Sequence, residues 1–350
     1  MVNSRSTNRK TKKKRKALYI TLIISMLLLS GVFVFAINLS IETKNAASKM
    51  YKALDRDKEK DNSNFDNVKA EDSPFTILLA GIEREEGEKY GRSDMLILAT
   101  VNPKAKKISM VNIPRDTRVF IEKLGMEDKI NHAYSNGGMD YTINTMENLL
   151  DIPIDYYVST DFQGFEDIVD TVGGIDVEVP FPFKAQLTGS LKWKTYTKGT
   201  MFLNGNEALA YVRMRKNDLE GDKGRNTRQK QVIQEIITKA TSISNITKVD
   251  DMMIEVGENV RTNIPSSEYI GLLKMYQTIK SSPIEQLQLD GTNQKVYSEL
   301  EKKKVWYFYP DEESLNKLKE TLILNLDNFG QNAQSEKSTT TGVEDLSIGK

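Results

Sequence analysis

The chain contains no cysteine. Disulfide cross-links, thiolate zinc sites and thiol nucleophiles are thereby excluded. Histidine is nearly absent as well. The single one, His132, sits in "KINHAY" between a loop and a helical stretch and is read as structural. Neither G-x-x-x-x-G-K-S/T nor G-x-G-x-x-G occurs, so Gly137, Gly138, Gly173 and Gly174 are assigned to turns and not to a nucleotide. A basic footprint is missing too. The formal net charge is zero, but residues 1–16 hold eight basic side chains and no acidic one. Without those eight, 41 basic residues face 49 acidic ones, a net charge of −8. That balance argues against nucleic acid as a partner.

What is present begins with "ALYITLIISMLLLSGVFVFAINL", residues 17–39, which carries no ionisable group except a tyrosine hydroxyl. At about 1.5 Å per residue this stretch gives roughly 34 Å of helix, enough for a hydrocarbon core of about 30 Å. The run is longer than a signal-peptide core and no small-x-small cleavage site follows, so it is read as a retained transmembrane signal anchor. The basic tail at 1–16 precedes it, which predicts a single-pass type II protein with its N-terminus in the cytoplasm and the rest outside. A cell-membrane protein of a Gram-positive-type bacterium fits this pattern. The sixteen cytoplasmic residues leave no room for a helix-turn-helix.

Residues 40–73 are charged and poor in apolar residues, and are expected to form a stalk, helical at first. Short apolar runs at 74–82, 94–101, 107–113, 155–160 and 174–179 read as strands. Between them, Met139, Ile143, Met146, Leu149 and Leu150, then Phe162, Phe165, Val169 and Val172, recur at helical spacing. This alternation predicts a layered α/β/α domain with a central mixed sheet over residues 74–329. The tail from 330 to 350 is polar and expected to be disordered.

Arginine is the minority cation, 13 of 49 basic residues, yet "YVRMRKNDLEGDKGRNTRQK" (211–230) holds four: Arg213, Arg215, Arg225 and Arg228. The planar guanidinium matches carboxylate or phosphate oxygens two at a time, so this window reads as an anion site. Residues 205–215 end in a period-two segment that reads as a strand, with Arg213 and Arg215 on one face. The helical stripe from Val232 onward puts Arg225, Arg228 and Gln229 at a helix start, where free N–H groups reinforce anion binding. Other polar residues follow the first strands: Glu83, then Arg92 and Asp94 in "GRSD", then Arg115 and Asp116 in "IPRDTR". Two carboxylates, Glu83 and Asp94, among arginines suit a magnesium ion bridging phosphate oxygens. Lys129 has two roles open to it, a phosphate contact or a helix cap, and the phosphate contact is the expectation. Asp116 is equally a candidate base and a support for Arg115.

The motifs "LLAGIE", "GRSDMLIL", "IPRDT", "KINHAYSNGG", "DYYVSTDFQGFEDIVDTVGGIDVEV", "LNGNEALAYVRMR" and "DKGRNTRQ" together resemble the LytR-CpsA-Psr family of bacterial cell envelopes. They fall in the family's order, with the core motifs within 75–245. The resemblance implies transfer of an anionic glycopolymer, such as teichoic acid or capsule, from a polyprenyl-pyrophosphate carrier to peptidoglycan. It implies pyrophosphate binding by Arg92, Arg115, Arg213, Arg215, Arg225 and Gln229, a magnesium ligand in Asp94, and Asp222 near the phosphates. The family usually has aspartate where this chain has Glu83, whose extra methylene moves the carboxylate by about 1.5 Å, a scale that matters for catalysis. Asp94, Arg115, Asp116 and Arg213 are the expected catalytic residues, with Asp94 and Asp116 both open as the base. Lys216 and Lys230, outside the matched positions, are expected to matter far less. A non-catalytic polyprenyl-phosphate-binding regulator of envelope stress is the alternative reading.

Overall fold

The computed structural model describes residues 45–56, 73–84, 90–215, 218, 220–241 and 256–327. The expected membrane span, the basic tail and the C-terminal tail lie outside these residues. Among the described residues no helix is long and apolar enough to cross a membrane.

The centre is a six-stranded mixed sheet. Its strands are β1 (Phe75–Glu83), β2 (Arg92–Asn102), β3 (Lys107–Asn112), β6 (Tyr156–Thr160), β11 (Val260–Thr262) and β12 (Ile284–Leu287), ordered β11-β6-β1-β2-β3-β12. β1 to β3 form an antiparallel meander, whereas β6 runs parallel to β1 and β12 parallel to β3. The five short apolar runs expected as strands all appear, within a residue or two at their ends.

Alternation along β1 and β2 divides their side chains between two apolar layers. On one face Leu78, Ala80, Leu96 and Leu98 pack against Met139, Ile143, Met146 and Leu150 of α1 (Asn131–Leu150). Leu318 and Leu322 of α6 (Glu312–Leu326) join them. On the other face Ile97, Ala99 and Met110 meet Ile233 of α4 (Asp222–Ala240). Near the sheet edge Phe75 and Tyr156 meet Met275 and Ile279 of α5 (Tyr269–Ile279). The expected α/β/α layering is thus observed. Gly138 lies inside α1 with φ 65° and ψ −145°, which breaks the helix into a short first segment and the core-facing remainder. A Cβ there would also lie 3.1 Å from the Tyr90 ring.

A second core surrounds α2 (Phe162–Thr171), α3 (Gly205–Arg213) and two small sheets. One sheet pairs β7 (Ile175–Val179) with β10 (Gly199–Leu203), the other β8 (Phe183–Gln186) with β9 (Trp193–Tyr196). Phe183 stacks on Tyr196 at 4.6 Å between ring centres. Two further hairpins, β4 (Arg118–Ile121) with β5 (Met126–Lys129) and β13 (Gly291–Ser298) with β14 (Lys303–Pro310), complete the described fold.

Two expectations are corrected. Residues 205–213 are helix, not strand. Asn204 and Glu207 form a capping box, and the Ala-Leu-Ala run favours helix. The period-two appearance arises because the helix ends at Arg213 and Met214 turns extended (φ −60°, ψ 132°), which leaves Val212 and Met214 buried and Arg213 and Arg215 exposed. Part of the expected stalk also belongs to the domain. Ala46, Ala47 and Met50 are buried, Leu54 joins the main core, and Tyr51 bridges Thr262 on edge strand β11. Spacing and charge hid this docking because only four apolar side chains accomplish it.

Candidate functional site

The site begins with a fault in the sheet. Gly81 pairs with Met95 and Ile82 with Ser93, so Asp94 is the extra residue of a β-bulge. A bulge sends neighbouring side chains out of strict alternation, and here Asp94 and Met95 both line one cavity with Gly81 and Glu83. Gly81 allows the close approach, since a Cβ there would lie 3.2 Å from that of Met95. The register sets Arg92 opposite Glu83.

Arg115 and Asp116 lie on the loop after β3, which is held from several sides. Thr117 Oγ1 donates to the Pro114 carbonyl at 2.6 Å, and the Phe308 N–H of β14 donates to the Asp116 carbonyl at 2.8 Å. Asn131 N–H donates to the Arg115 carbonyl at 3.2 Å. The Arg115 guanidinium donates to Asp94 at 2.5 Å and lies 3.8 Å from Asp116.

The C-terminus of α3 and the start of α4 supply the remaining cations. Arg213, Arg215, Arg225 and Gln229 line the same cavity of about 220 Å³ as Glu83, Asp94 and Arg115. Arg213 lies 3.3 Å from Glu83 and 4.1 Å above the Phe162 ring centre. Gln229 accepts from Asn112 Nδ2 at 3.0 Å, which ties α4 to β3. The rest of the wall includes apolar Phe162, Phe165, Leu209, Val212 and Ile233. The two phenylalanines belong to a stripe that helical spacing alone assigns to core.

Glu83 and Asp94 approach closely enough to hydrogen-bond. Burial, followed by that hydrogen bond and the Asp94 charge, pushes the Glu83 carboxyl above its usual range, against the opposing pull of Arg213 and Arg115. Such a repelling pair is a donor set that a cation relieves. Among the described residues no group of three or more His, Cys, Asp or Glu could hold a metal unaided. The pair therefore suits magnesium, which takes one or two carboxylates and completes its shell with water and phosphate oxygens.

Not every expected residue meets the cavity. Arg228 is 2% exposed and fully engaged: it ion-pairs with Asp218 and donates to the Met214 carbonyl at 2.5 Å and the Tyr211 carbonyl at 3.2 Å. It clamps the turn carrying Arg213 and Arg215 and is not one of the anion-facing arginines. Lys129 does not line the cavity. It pairs with Asp116 at 3.3 Å and Glu301 at 3.5 Å, with its ammonium 5.8 Å from the Tyr307 ring centre. Arg92 and Asp116 also lie off the cavity wall, and Asp222 opens α4. Lys230, expected to be a neutral control, is buried and donates to the Leu287 carbonyl at 3.1 Å, with desolvation lowering its pKa. Lys216 lies outside the described residues. His132 is structural as expected, 2.7 Å from the buried Asp128 carboxylate.

Comparison with known proteins agrees with this picture. The model of the LytR_cpsA_psr family matches residues 37–324. The polyisoprenyl-teichoic acid–peptidoglycan teichoic acid transferase TagV of Bacillus subtilis is 45% identical over 291 residues, 82% of this chain and 73% of that protein. TagU of the same organism, which carries the same transferase name, is 40% identical over 90% of this chain and 99% of its own. The crystal structure of B. subtilis TagV superposes with a TM-score of 0.63, covering 73% of this chain and 98% of that one. A structure of TagT bound to LIIa-WTA, 33% identical, gives 0.62 over 79% and 99%.

Proposed function

The chain belongs to the LytR-CpsA-Psr family, and from that premise we propose that it transfers a teichoic-acid-type glycopolymer from a polyprenyl-pyrophosphate carrier to peptidoglycan. It would act at the outer face of the membrane, anchored by residues 17–39. One observation carries this reading: a single cavity combines four arginines, the carboxylates of Glu83, Asp94 and Asp161, and an apolar lining. Few ligands need all three, and a lipid-linked pyrophosphate does. The transferase names of TagV and TagU support the same assignment.

In the transfer, the acceptor oxygen forms a bond to the phosphorus bearing the polymer. The bond from that phosphorus to the bridging oxygen breaks, and lipid phosphate leaves with the electron pair. Arg115, Arg213, Arg215 and Arg225 match the charge that grows on the departing phosphate, and being held in place they need little reorganisation. The acceptor proton passes to a carboxylate, for which Asp94 and Asp116, on either side of Arg115, are the candidates. Glu83 and Asp94 would hold magnesium, which when bound supplies charge neutralisation at the phosphate oxygens. Lys129 supports this set through Asp116, and Arg92 adds positive charge beside Glu83. Asp222 and Gln229 complete it at the start of α4.

The test uses the detergent-solubilised full-length chain with labelled lipid-linked glycopolymer and peptidoglycan oligomers. A covalent conjugate is expected from the parent and not from Asp94→Ala. Release of free polymer without conjugate would mark a pyrophosphatase instead.

A further inference from the structure

The arginines of the cavity also belong to two neighbouring depressions. Arg213 and Arg215 are shared with an open groove of about 1100 Å³ along the β8–β9 hairpin. Arg115 and Arg225 are shared with a separate cavity of about 360 Å³ between the α4 start, the loop after β3 and the β12–β13 connection. No residue lines both the groove and this second cavity. Three spaces thus meet at four guanidinium groups. The transfer reaction, on the reading proposed above, has three parts to accommodate besides the pyrophosphate: the lipid, the polymer and the acceptor.

Chemistry allots them. The lipid takes the cavity with the apolar wall. The ionisable side chains lining the groove are Lys184, Arg213 and Arg215, all cationic, which suits an anionic polymer. The second cavity differs in kind. Its cations Arg115, Lys223, Arg225 and Lys230 are joined by the carboxylates of Asp116 and Asp290, which the groove lacks, and by the amides Asn112, Asn226, Gln288 and Asn293. With charges of both signs interleaved with amides, this wall lacks the uniform positive field of the groove, and amides and carboxylates together recognise the hydroxyl and acetamido groups of a sugar. Asn226 adds an independent sign. Its amide oxygen is buried and lacks a hydrogen-bond partner among the described residues, an unsatisfied acceptor of the sort that a ligand or an ordered water completes. The cavity also presents Asp116 beside Arg115, so a carboxylate stands where an acceptor hydroxyl would enter.

We propose that this second cavity, walled by Asp116, Asn226, Asp290 and Asn293, binds the acceptor sugar of the peptidoglycan glycan strand. It delivers the acceptor hydroxyl to the phosphorus from across Arg115 and Arg225, away from the lipid. Displacement at phosphorus proceeds with attacking and leaving oxygens roughly in line, so acceptor and lipid need separate spaces, and two cavities that share Arg115 and Arg225 provide them.

The experiment compares the full-length parent with Asn226→Ala and Asn293→Trp, both checked for unchanged thermal unfolding. Soluble glycan-strand fragments of peptidoglycan are titrated without donor, and lipid-linked glycopolymer is titrated without acceptor. Fragment affinity should fall about tenfold in both variants while donor affinity stays within about twofold. In turnover, the acceptor KM should rise by a similar factor with kcat little changed, the pattern of lost ground-state binding. Unchanged fragment binding in both variants overturns the assignment, as does a parent that binds no fragment. Weakened donor binding with intact fragment binding also overturns it, because the cavity would then hold the polymer. A parent that binds both ligands yet forms no conjugate would sink the transferase reading alone, since the fragment titration decides the cavity independently.

Discussion

The charged groups lining the cavity and those buried elsewhere in the domain are built from the same kinds of side chain but to opposite ends. In the buried set, Arg228 meets one carboxylate and two carbonyls, and Asp128, fully buried, accepts from Tyr307 at 2.8 Å and pairs with His132. Every charge there has partners of opposite character. At the cavity two carboxylates crowd each other and several arginines converge. The buried set has finished its electrostatic matching within the chain, whereas in the cavity set the repulsion between Glu83 and Asp94 persists beside the ion pairs of Arg115 and Arg213. The difference separates groups that stabilise from groups that act.

The largest expected effect falls on the buried set. Arg228→Ala strands Asp218 and two carbonyls, and breaking a buried pair in this way costs about 3–5 kcal/mol. Chemical denaturation should register that loss, and an unchanged midpoint would erase the contrast. Asp94→Ala is the mirror case. Turnover should fall by about 10²–10³, the scale on which positioned active-site charge matters, while the unfolding midpoint hardly moves because Arg115 retains Asp116.

Asp128 sharpens the comparison through pH. Burial alone would raise its pKa, but hydrogen bonds with His132 and Tyr307 outweigh that and hold it below the usual carboxylate range. A carboxyl whose folded pKa is depressed stabilises above its unfolded pKa of about 3.9 and loses that contribution as pH falls through the folded value. Asp128→Asn should therefore be less stable than the parent at neutral pH, by about 1.5–3 kcal/mol for a charged hydrogen bond. The gap should narrow below about pH 4 in thermal melts, and a gap that widened on acidification would contradict the assignment. At the cavity, Arg213→Lys keeps the charge but loses the planar fork, so affinity for lipid pyrophosphate should fall about tenfold. Equal titration curves would assign Arg213 to structure. Smallest is Glu83→Asp, which restores the shorter ligand usual in the family and should leave turnover equal or raise it by about two- to threefold, read at saturating magnesium.

Much of this was legible in the residues. Apolar runs located β1, β2, β3 and β6 of the central sheet because buried strands must be apolar on both faces, but not the short edge strands β11 and β12. The arginine window located the cavity because guanidinium groups rarely cluster without an anion. Arg228 escaped because its spacing equals that of its neighbours, and only its contacts with the Met214 carbonyl and Asp218 show which guanidinium faces inward. The bulge at Asp94 was equally silent, since one unpaired residue leaves no trace in hydrophobic pattern. The surroundings of Lys129 were hidden for a related reason: the β4–β5 pairing brings it to Asp116, and the turn between β13 and β14, distant in sequence, brings Glu301.

The docking of residues 45–56 onto the edge strand sets the length of a leash. Lys52 N–H donates to the Thr262 carbonyl at 2.7 Å, the Tyr157 hydroxyl donates to the Lys52 carbonyl at 2.8 Å, and Leu54 is locked in the core. A free stalk over residues 40–73 could reach roughly 115 Å when extended; on the anchoring proposed above, with a span ending at residue 39 and the chain captured from residue 45, the slack would be at most about 20 Å. The domain could then neither swing far into the wall nor search for its carrier at a distance. Encounter would depend on the carrier drifting sideways through the bilayer, a two-dimensional search in which both molecules share one surface. The acceptor strand, in turn, would have to descend to the membrane.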